Sequence, residues 1–134
     1  MIGEGNCLCG AVGIKAKDVP QKTGTCHCSM CRKWHGGPGF SVPCGPDLEF
    51  TGQENITIFD SSSWAQRGFC KQCGTHLFYK LKQTGLHMVS TSLFDNIKDF
   101  IFDHQYYIDQ KPEYYSFADE TDNLTEAEVM AKFS

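Results

Sequence analysis

The most constraining feature of this sequence is a group of three cysteines within six residues, at Cys26, Cys28 and Cys31. Two cysteine pairs lie far from this group in the chain, and the remaining cysteine, Cys44, stands alone. The pairs are Cys7/Cys9 and Cys70/Cys73. A tetrahedral zinc ion with Zn–S bonds of about 2.3 Å needs sulfurs roughly 3.8 Å apart, which short loops can supply. The sequence therefore predicts a domain built around thiolate metal sites.

Disulfide bonds are the main alternative for a short chain with eight cysteines. The first residues show no basic segment followed by an apolar one, so we expect no export signal and a cytoplasmic location. The neighbours in a C-x-C pair are also poorly placed to bond each other. Metal binding is therefore favoured over disulfides, and a free core cysteine is a reasonable interpretation for Cys44 alone.

Composition narrows the class of protein. The chain has 134 residues, 40% of them apolar and 21% charged, which is typical of one soluble globular domain. Its net charge of −4 argues against a nucleic-acid partner or an anionic membrane surface, because both favour a basic face. No apolar run approaches the ~20 residues needed to cross a bilayer.

Hydrophobic alternation between turn residues predicts many short strands. They fall at 12–16, 40–42, 48–50, 56–59, 77–81, 86–91 and 103–108. A short helix should begin near Cys31 and end at Gly36, and the capping box at 125–128 predicts a second helix through about Lys132. We expect a mainly β fold with antiparallel sheets. Residues 1–118 should form the zinc-binding domain, and the tail 119–134, loop-like before its short helix, should belong to the same domain.

Seven clustered thiols do not divide evenly between two ions. The N-terminal C-x-C and the C-x-x-C-G would together make one closed, structural four-thiolate site. Cys26, Cys28 and Cys31 would then hold a second ion with one open position, which is typical of catalytic zinc. Cys44 could instead be the fourth ligand of this central site, or a small apolar residue at a strand end.

Residues around the central group have less specific patterns. His27 lies between two ligands and should pack or hydrogen-bond rather than bind metal, and nothing in the spacing favours His35 as a ligand. Arg32 and Lys33 would lie at the rim, as an anion-binding pair or as ordinary solvated helix surface. An aromatic run near the C-terminus should cover the core, although it could line a pocket. Its members are Tyr106, Tyr107, Tyr114, Tyr115 and Phe117.

At 5–10, 26–33 and 67–77 the sequence resembles the family of glutathione-dependent formaldehyde-activating enzymes, which includes centromere protein V-like domains. Three cysteine motifs in the same order make this resemblance specific, and it covers roughly residues 3 to 115. The resemblance implies a β-tent fold of coiled antiparallel sheets with two zinc sites. It implies structural zinc on Cys7, Cys9, Cys70 and Cys73, and a second, catalytic zinc on Cys26, Cys28 and Cys31.

The family's named activity joins formaldehyde to the thiol of glutathione. The resemblance therefore implies a zinc-dependent enzyme of carbon–sulfur lyase type, with glutathione or a similar small thiol as its partner and neither nucleic acid nor membrane. The alternative is a non-catalytic zinc scaffold that docks a protein through an apolar patch beside Trp34 or Phe40. Iron can occupy similar all-cysteine sites, so the sequence leaves the metal's identity open.

Overall fold

A computed structural model describes residues 1–45 and 47–134. The strands are β1 (Gly3–Asn6), β2 (Gly13–Ala16), β3 (Lys22–Cys26), β4 (Gly39–Cys44), β5 (Leu48–Thr51), β6 (Ile56–Asp60), β7 (Ala65–Cys70), β8 (His76–Leu81), β9 (His87–Ser90), β10 (Ile101–Tyr106) and β11 (Asp122–Leu124). The helices are α1 (Ser29–His35) and α2 (Glu126–Lys132), and short 3-10 turns lie at Gln53–Asn55, Thr91–Leu93, Ile97–Asp99 and Ile108–Gln110. The chain groups into two compact units, which are Met1–Gln21 with Ser41–Phe100, and Lys22–Phe40 with Ile101–Ser134.

The first unit contains two sets of antiparallel strands. In one set β2 lies between β1 and β5, and in the other the order is β4-β9-β8-β7-β6. Ile14 on β2 is opposite both Gly5 on β1 and Phe50 on β5. Gly68 on β7 is opposite Phe78 on β8, whose ring occupies the space that a Cβ at position 68 would need. Glycine is therefore required there for the phenylalanine ring to lie across the sheet.

The hydrophobic core of this unit follows the alternation read from the sequence. Val12, Ile14 and Ala16 are each at most 5% exposed, as a half-buried strand requires. Two cysteines are part of the same core, because Cys7 is 3% exposed and Cys70 is fully buried. One candidate metal group therefore has two of its four cysteines in the apolar interior, whereas Cys9 is exposed and Cys73 is partly buried.

In the second unit β10 lies between β3 and β11 and runs parallel to both. Asp103 forms a bulge in β10, where the register with β3 shifts. The rings of Phe40, Phe102 and Phe117 pack edge to face, with centroids 5.0 to 5.7 Å apart. Edge-to-face contacts at this spacing stabilise an aromatic cluster. Strand β3 of this unit ends at Cys26, the first residue of the central cysteine group.

The predicted mainly β class is confirmed. The tail helix is also confirmed, because α2 begins after a capping box in which Thr125 and Glu128 bond each other's backbone N–H groups. Strands β1, β3, β7 and β11 were not predicted, and residues 122–123 begin β11 where the sequence favoured a loop. The parallel pairs of β10 also depart from the antiparallel pairing expected throughout.

The β-tent arrangement and the division into 1–118 and 119–134 stay predictions. Among the described residues, no helix combines the length and the apolar character that crossing a bilayer would require.

Candidate metal centres

The first candidate centre consists of four cysteine sulfurs in the first unit. The Sγ atoms of Cys7, Cys9, Cys70 and Cys73 all lie within 4.8 Å of one another. The Sγ atom of Cys9 is 3.7 Å from that of Cys7 and 3.8 Å from that of Cys70. These spacings match the roughly 3.8 Å between sulfurs of a tetrahedral zinc site. The structure therefore brings together the four residues that the sequence paired across more than sixty positions.

Each cysteine pair of this centre is shaped by a tight turn that ends in glycine. The Gly10 N–H donates to the Cys7 carbonyl at 3.0 Å, and the Gly74 N–H donates to the Cys70 carbonyl at 2.7 Å. Both glycines have φ near +80°, at +82° and +79°, which other residues adopt only at a cost. The two turns aim their sulfurs at a common point, and the Val12 N–H also donates to the Cys7 sulfur at 3.3 Å.

A threonine missed by sequence reasoning connects the two turns. The Leu8 N–H donates to the Thr75 hydroxyl oxygen at 3.2 Å, and this hydroxyl lies 3.1 Å from the Cys73 sulfur. Because the oxygen accepts from Leu8, its own proton can point at the sulfur. The hydroxyl of Thr75, followed by backbone N–H groups, lowers the pKa of Cys73 to about 5. This sulfur is therefore available as a thiolate ligand at neutral pH.

The second candidate centre lies in the second unit. The sulfurs of Cys26, Cys28 and Cys31 lie within 4.8 Å of one another, and all three residues are half-buried. Cys26 ends β3, and Cys28 is the N-cap of α1, where its sulfur accepts from the Cys31 N–H at 3.4 Å. Across residues 1–45 and 47–134, this group has three members where the first has four. The sequence prediction of unequal groups is thus matched by the geometry.

The three thiols of this centre interact strongly with one another. Hydrogen bonds from the side chains of Cys26 and Cys31 lower the pKa of Cys28 to about 2. The same contacts, with Cys28 first, raise the pKa of Cys26. The three sulfurs therefore titrate as one coupled group, and thiols this close favour a cation among them. Basic residues in α1 add positive charge on the same helix, at Arg32 and Lys33.

His27 has the non-ligand role that the sequence predicted. Its side chain is fully buried, and it hydrogen-bonds Tyr115 and Gln105 at 2.7 and 2.8 Å. These two partners are 88 and 78 positions away in the chain, so sequence reasoning missed them as parts of the site. Of the aromatic run, Tyr115 contacts His27, whereas Tyr114 is 78% exposed.

Cys44 belongs to neither cysteine group among the described residues. It ends β4 in the first unit, is 1% exposed, and lies opposite His87 on β9. Burial raises its pKa to about 11, so it stays protonated at neutral pH. These observations favour the interpretation of Cys44 as a small apolar residue at a strand end. The alternative role of Phe40 in an exposed patch is also disfavoured, because its ring packs against Phe102 and Phe117.

The donor atoms fit zinc in both groups. No disulfide joins the cysteines, all of which lie in the described part of the chain. Four sulfurs at tetrahedral spacing suit a closed structural site, and three suit a site with one exchangeable position. The structure groups the thiols as four and three, and the donor set accepts either zinc or iron.

Comparisons with known proteins agree with these motifs. The sequence model of the family described as glutathione-dependent formaldehyde-activating enzyme matches residues 2–110. An uncharacterized lyase of Schizosaccharomyces pombe is 39% identical over 128 residues, which cover 95% of this chain and 93% of that protein. A Halomonas elongata protein, provisionally named as a glutathione-dependent formaldehyde-activating enzyme, is 33% identical over 87 residues, or 58% of this chain and 55% of that protein.

A crystal structure of a Rhodobacter sphaeroides protein has a similar fold. Its TM-score is 0.61 at 24% sequence identity, and the match covers 69% of this chain and 88% of that chain. At this identity the likeness concerns the fold alone.

Proposed function

Because the chain belongs to the family of glutathione-dependent formaldehyde-activating enzymes, we propose that it is a zinc-dependent enzyme of carbon–sulfur lyase type. Its substrate class is the adduct of a small aldehyde with a thiol, with glutathione and formaldehyde as the leading pair. The observation that carries this proposal is the half-buried group of three sulfurs, which lacks a fourth protein ligand among the described residues.

The two centres would have different roles. Cys7, Cys9, Cys70 and Cys73 would hold a structural zinc, because two of them are buried in the core and four sulfurs saturate a tetrahedral ion. Cys26, Cys28 and Cys31 would hold the second zinc and act in catalysis through it. When bound, this zinc supplies a position at which a substrate thiol is held as its thiolate.

The reaction itself forms or breaks one carbon–sulfur bond. The thiolate sulfur shares an electron pair with the carbonyl carbon of the aldehyde, and the carbonyl π pair moves to oxygen. That oxygen takes a proton from water, which gives a hydroxymethyl thioether, and the reverse path releases the aldehyde and the thiol. No oxidant or reductant is needed. The chain's contribution is to position the sulfur and to favour its deprotonated form.

Charge around the central group supports a thiolate substrate. Three cysteine thiolates outweigh the charge of one divalent ion, so a fourth thiolate adds to a negative site. Arg32 and Lys111 both lie close enough to His27 to lower its pKa, after the larger effect of burial. Arg32 also donates from Nε to the His27 carbonyl at 2.9 Å, which fixes its guanidinium beside the cysteines. These cations would offset the added charge, and the exposed Lys33 stands on the same helix.

We also propose a reducing compartment such as the cytoplasm, because both centres need their cysteines as thiolates rather than disulfides. The partner would be a small thiol, and neither nucleic acid nor a membrane is expected, in line with the net charge of −4.

Cobalt substitution tests this proposal. Cobalt placed at both centres gives thiolate-to-metal absorption that responds to a new sulfur ligand. We expect glutathione to change this spectrum in the wild type and in a Cys44→Ser variant, since Cys44 is in neither group. A spectrum unchanged by glutathione would contradict the proposal and favour the non-catalytic scaffold.

Formaldehyde–glutathione exchange, followed by NMR, provides the catalytic readout. The wild type should accelerate exchange above the uncatalysed rate. Cys31→Ser should abolish this acceleration while the first centre keeps its metal, because the two groups share no residue. Equal exchange with and without the wild-type protein would contradict the catalytic assignment.

A further inference from the structure

His27 is the one residue that separates the candidate ligands Cys26 and Cys28, and each of its polar groups has a hydrogen-bond partner. Its backbone N–H donates to the Tyr106 carbonyl at 3.0 Å, and its carbonyl accepts from Arg32 Nε at 2.9 Å. Its ring nitrogens bond Tyr115 through Nδ1 and Gln105 through Nε2. The side chain is fully buried. The residue that sets the spacing of Cys26 and Cys28 is thus fixed in position and in ring orientation.

The side-chain contacts define one direction of hydrogen bonding. The Gln105 amide nitrogen donates to the Thr121 hydroxyl at 2.8 Å, so its oxygen faces His27 and can only accept. His27 Nε2 therefore carries the proton and donates it. In the neutral ring Nδ1 then accepts, so the Tyr115 hydroxyl must donate to it at 2.7 Å. Buried chains of this kind are stable only when every member is satisfied.

Tyr115 lies in a short segment, residues 111–116, whose internal hydrogen bonds hold it beside His27. The Lys111 ammonium donates to the carbonyls of Pro112 and Tyr115, at 2.9 and 2.6 Å, and lies 3.2 Å from the Ser116 hydroxyl. The Tyr115 ring also packs against the His27 ring, with centroids 5.5 Å apart. The segment lies beyond residues 2–110, to which the family's sequence model applies.

We propose that Tyr115 is a positioning residue of the central metal centre and acts through His27. Its hydroxyl holds the imidazole in one orientation, and the imidazole holds the C-x-C segment so that both sulfurs face the same ion. This inference rests on the proposed second metal site, but not on its catalytic role. Hydrogen-bonding partners behind metal ligands typically change metal affinity by about 10- to 100-fold when removed. Tyr115 should therefore control how tightly the central group holds its ion.

A pair of adjacent tyrosines provides the test. Tyr115→Phe removes only the hydroxyl, and Tyr114→Phe makes the same change on a neighbouring ring that is 78% exposed. Cobalt affinity of each centre is measured by competition with a chelator on the full chain. We expect Tyr115→Phe to weaken the central centre by about 10- to 100-fold. The four-cysteine centre should be unchanged, and Tyr114→Phe should match the wild type at both centres.

A variant of Gln105 separates positioning from general loss of structure. Gln105→Leu removes the acceptor for His27 Nε2–H and should weaken the central centre as Tyr115→Phe does. The four-cysteine centre should keep its wild-type affinity in this variant, which a general loss of structure would not allow. The cobalt d–d band of the central centre, which reports ligand geometry, should shift in the two weakened variants alone.

Two outcomes would overturn the inference. One is equal central-centre affinity in Tyr115→Phe and Tyr114→Phe, and the other is wild-type central-centre affinity in Gln105→Leu. If the wild type itself binds no metal at the central cysteines, the proposed second site fails instead. The two failures are therefore distinguishable in the same titration.

Discussion

Replacing Cys70 with serine should destabilise this protein far more than the same replacement at Cys44. Both thiols are buried, at 0% and 1% exposure, so each substitution places a hydroxyl in an apolar site. A buried polar group without a partner costs about 1–3 kcal/mol, and Cys44→Ser should cost no more than this. Cys70→Ser adds the loss of a cross-link, because Cys70 belongs to the four-sulfur centre.

The separation along the chain sets the size of this added loss. Cys9 and Cys70 are 61 positions apart, and their sulfurs lie 3.8 Å from each other. Closing a loop of this length restricts the unfolded chain by about 4 kcal/mol on the entropy relation used for covalent cross-links. Cys70→Ser should therefore cost about 5–7 kcal/mol in total, out of the roughly 5–15 kcal/mol that stabilises a typical domain. The central cysteines close only a five-residue loop, so Cys31→Ser should cost about 2 kcal/mol on the same relation.

Urea unfolding of the zinc-loaded protein, followed by far-UV circular dichroism, measures these differences. Zinc content is determined on the same samples. The midpoint should fall steeply for Cys70→Ser and slightly for Cys44→Ser. The reasoning is refuted if the two variants lose the same free energy of unfolding while Cys70→Ser has lost its zinc.

Three further predictions follow from individual contacts. Cys44 should resist iodoacetamide at pH 8 in the folded protein and react in urea, because burial raises its pKa to about 11; mass spectrometry showing native alkylation would contradict this. Gly24→Ala should lower the free energy of unfolding by about 1–3 kcal/mol, because the added Cβ would meet the His104 ring, and His104→Ala should restore part of the loss; no restoration in thermal melts would be the contrary result. The Thr75 hydroxyl lowers the pKa of Cys73 to about 5, so this sulfur stays a thiolate above that pH and takes a proton as pH falls through it. Thr75→Val should therefore release zinc at a higher pH than wild type during acidification, and Thr75→Ser should not. Zinc release is followed with a chromogenic chelator, and the same pH midpoint of release for all three proteins would contradict this.

The cysteine groups could be predicted from the sequence because metal ligation imposes short, recognisable spacings. C-x-C and C-x-x-C-G each place two sulfurs on one turn, and the positive φ of Gly10 and Gly74 is part of that turn. The burial of Val12, Ile14 and Ala16 was equally predictable, because their alternation is a property of the local sequence.

The elements that sequence reasoning missed depend on distant partners. β3 reads Lys-Thr-Gly-Thr-Cys, with no apolar alternation, and is a strand because it pairs with β10. β11 has three residues and likewise forms by pairing with β10. Local propensity could not identify either one, because the stabilising hydrogen bonds come from residues far along the chain.

The hydrogen bonds that hold His27 beside the central cysteines could not be predicted for the same reason. The position of His27 between two ligands indicated a residue that faces away from the metal, which the structure agrees with. Nothing in the local sequence identifies Tyr115 and Gln105 as its partners. A tyrosine in an aromatic run more often packs over the core than donates a hydrogen bond to one imidazole. Only the fold shows which of two adjacent tyrosines has this contact.

The central claim is that one ion is held by four cysteine sulfurs and a second by three. X-ray absorption at the zinc edge, on protein without added thiol, measures the average number of sulfur ligands directly. With two zinc ions per chain, four sulfurs on one and three on the other average to 3.5 per ion, at about 2.3 Å. An average of four with two ions would mean that the central site is closed, and one ion per chain would mean that the central group holds none. Either result would contradict the account.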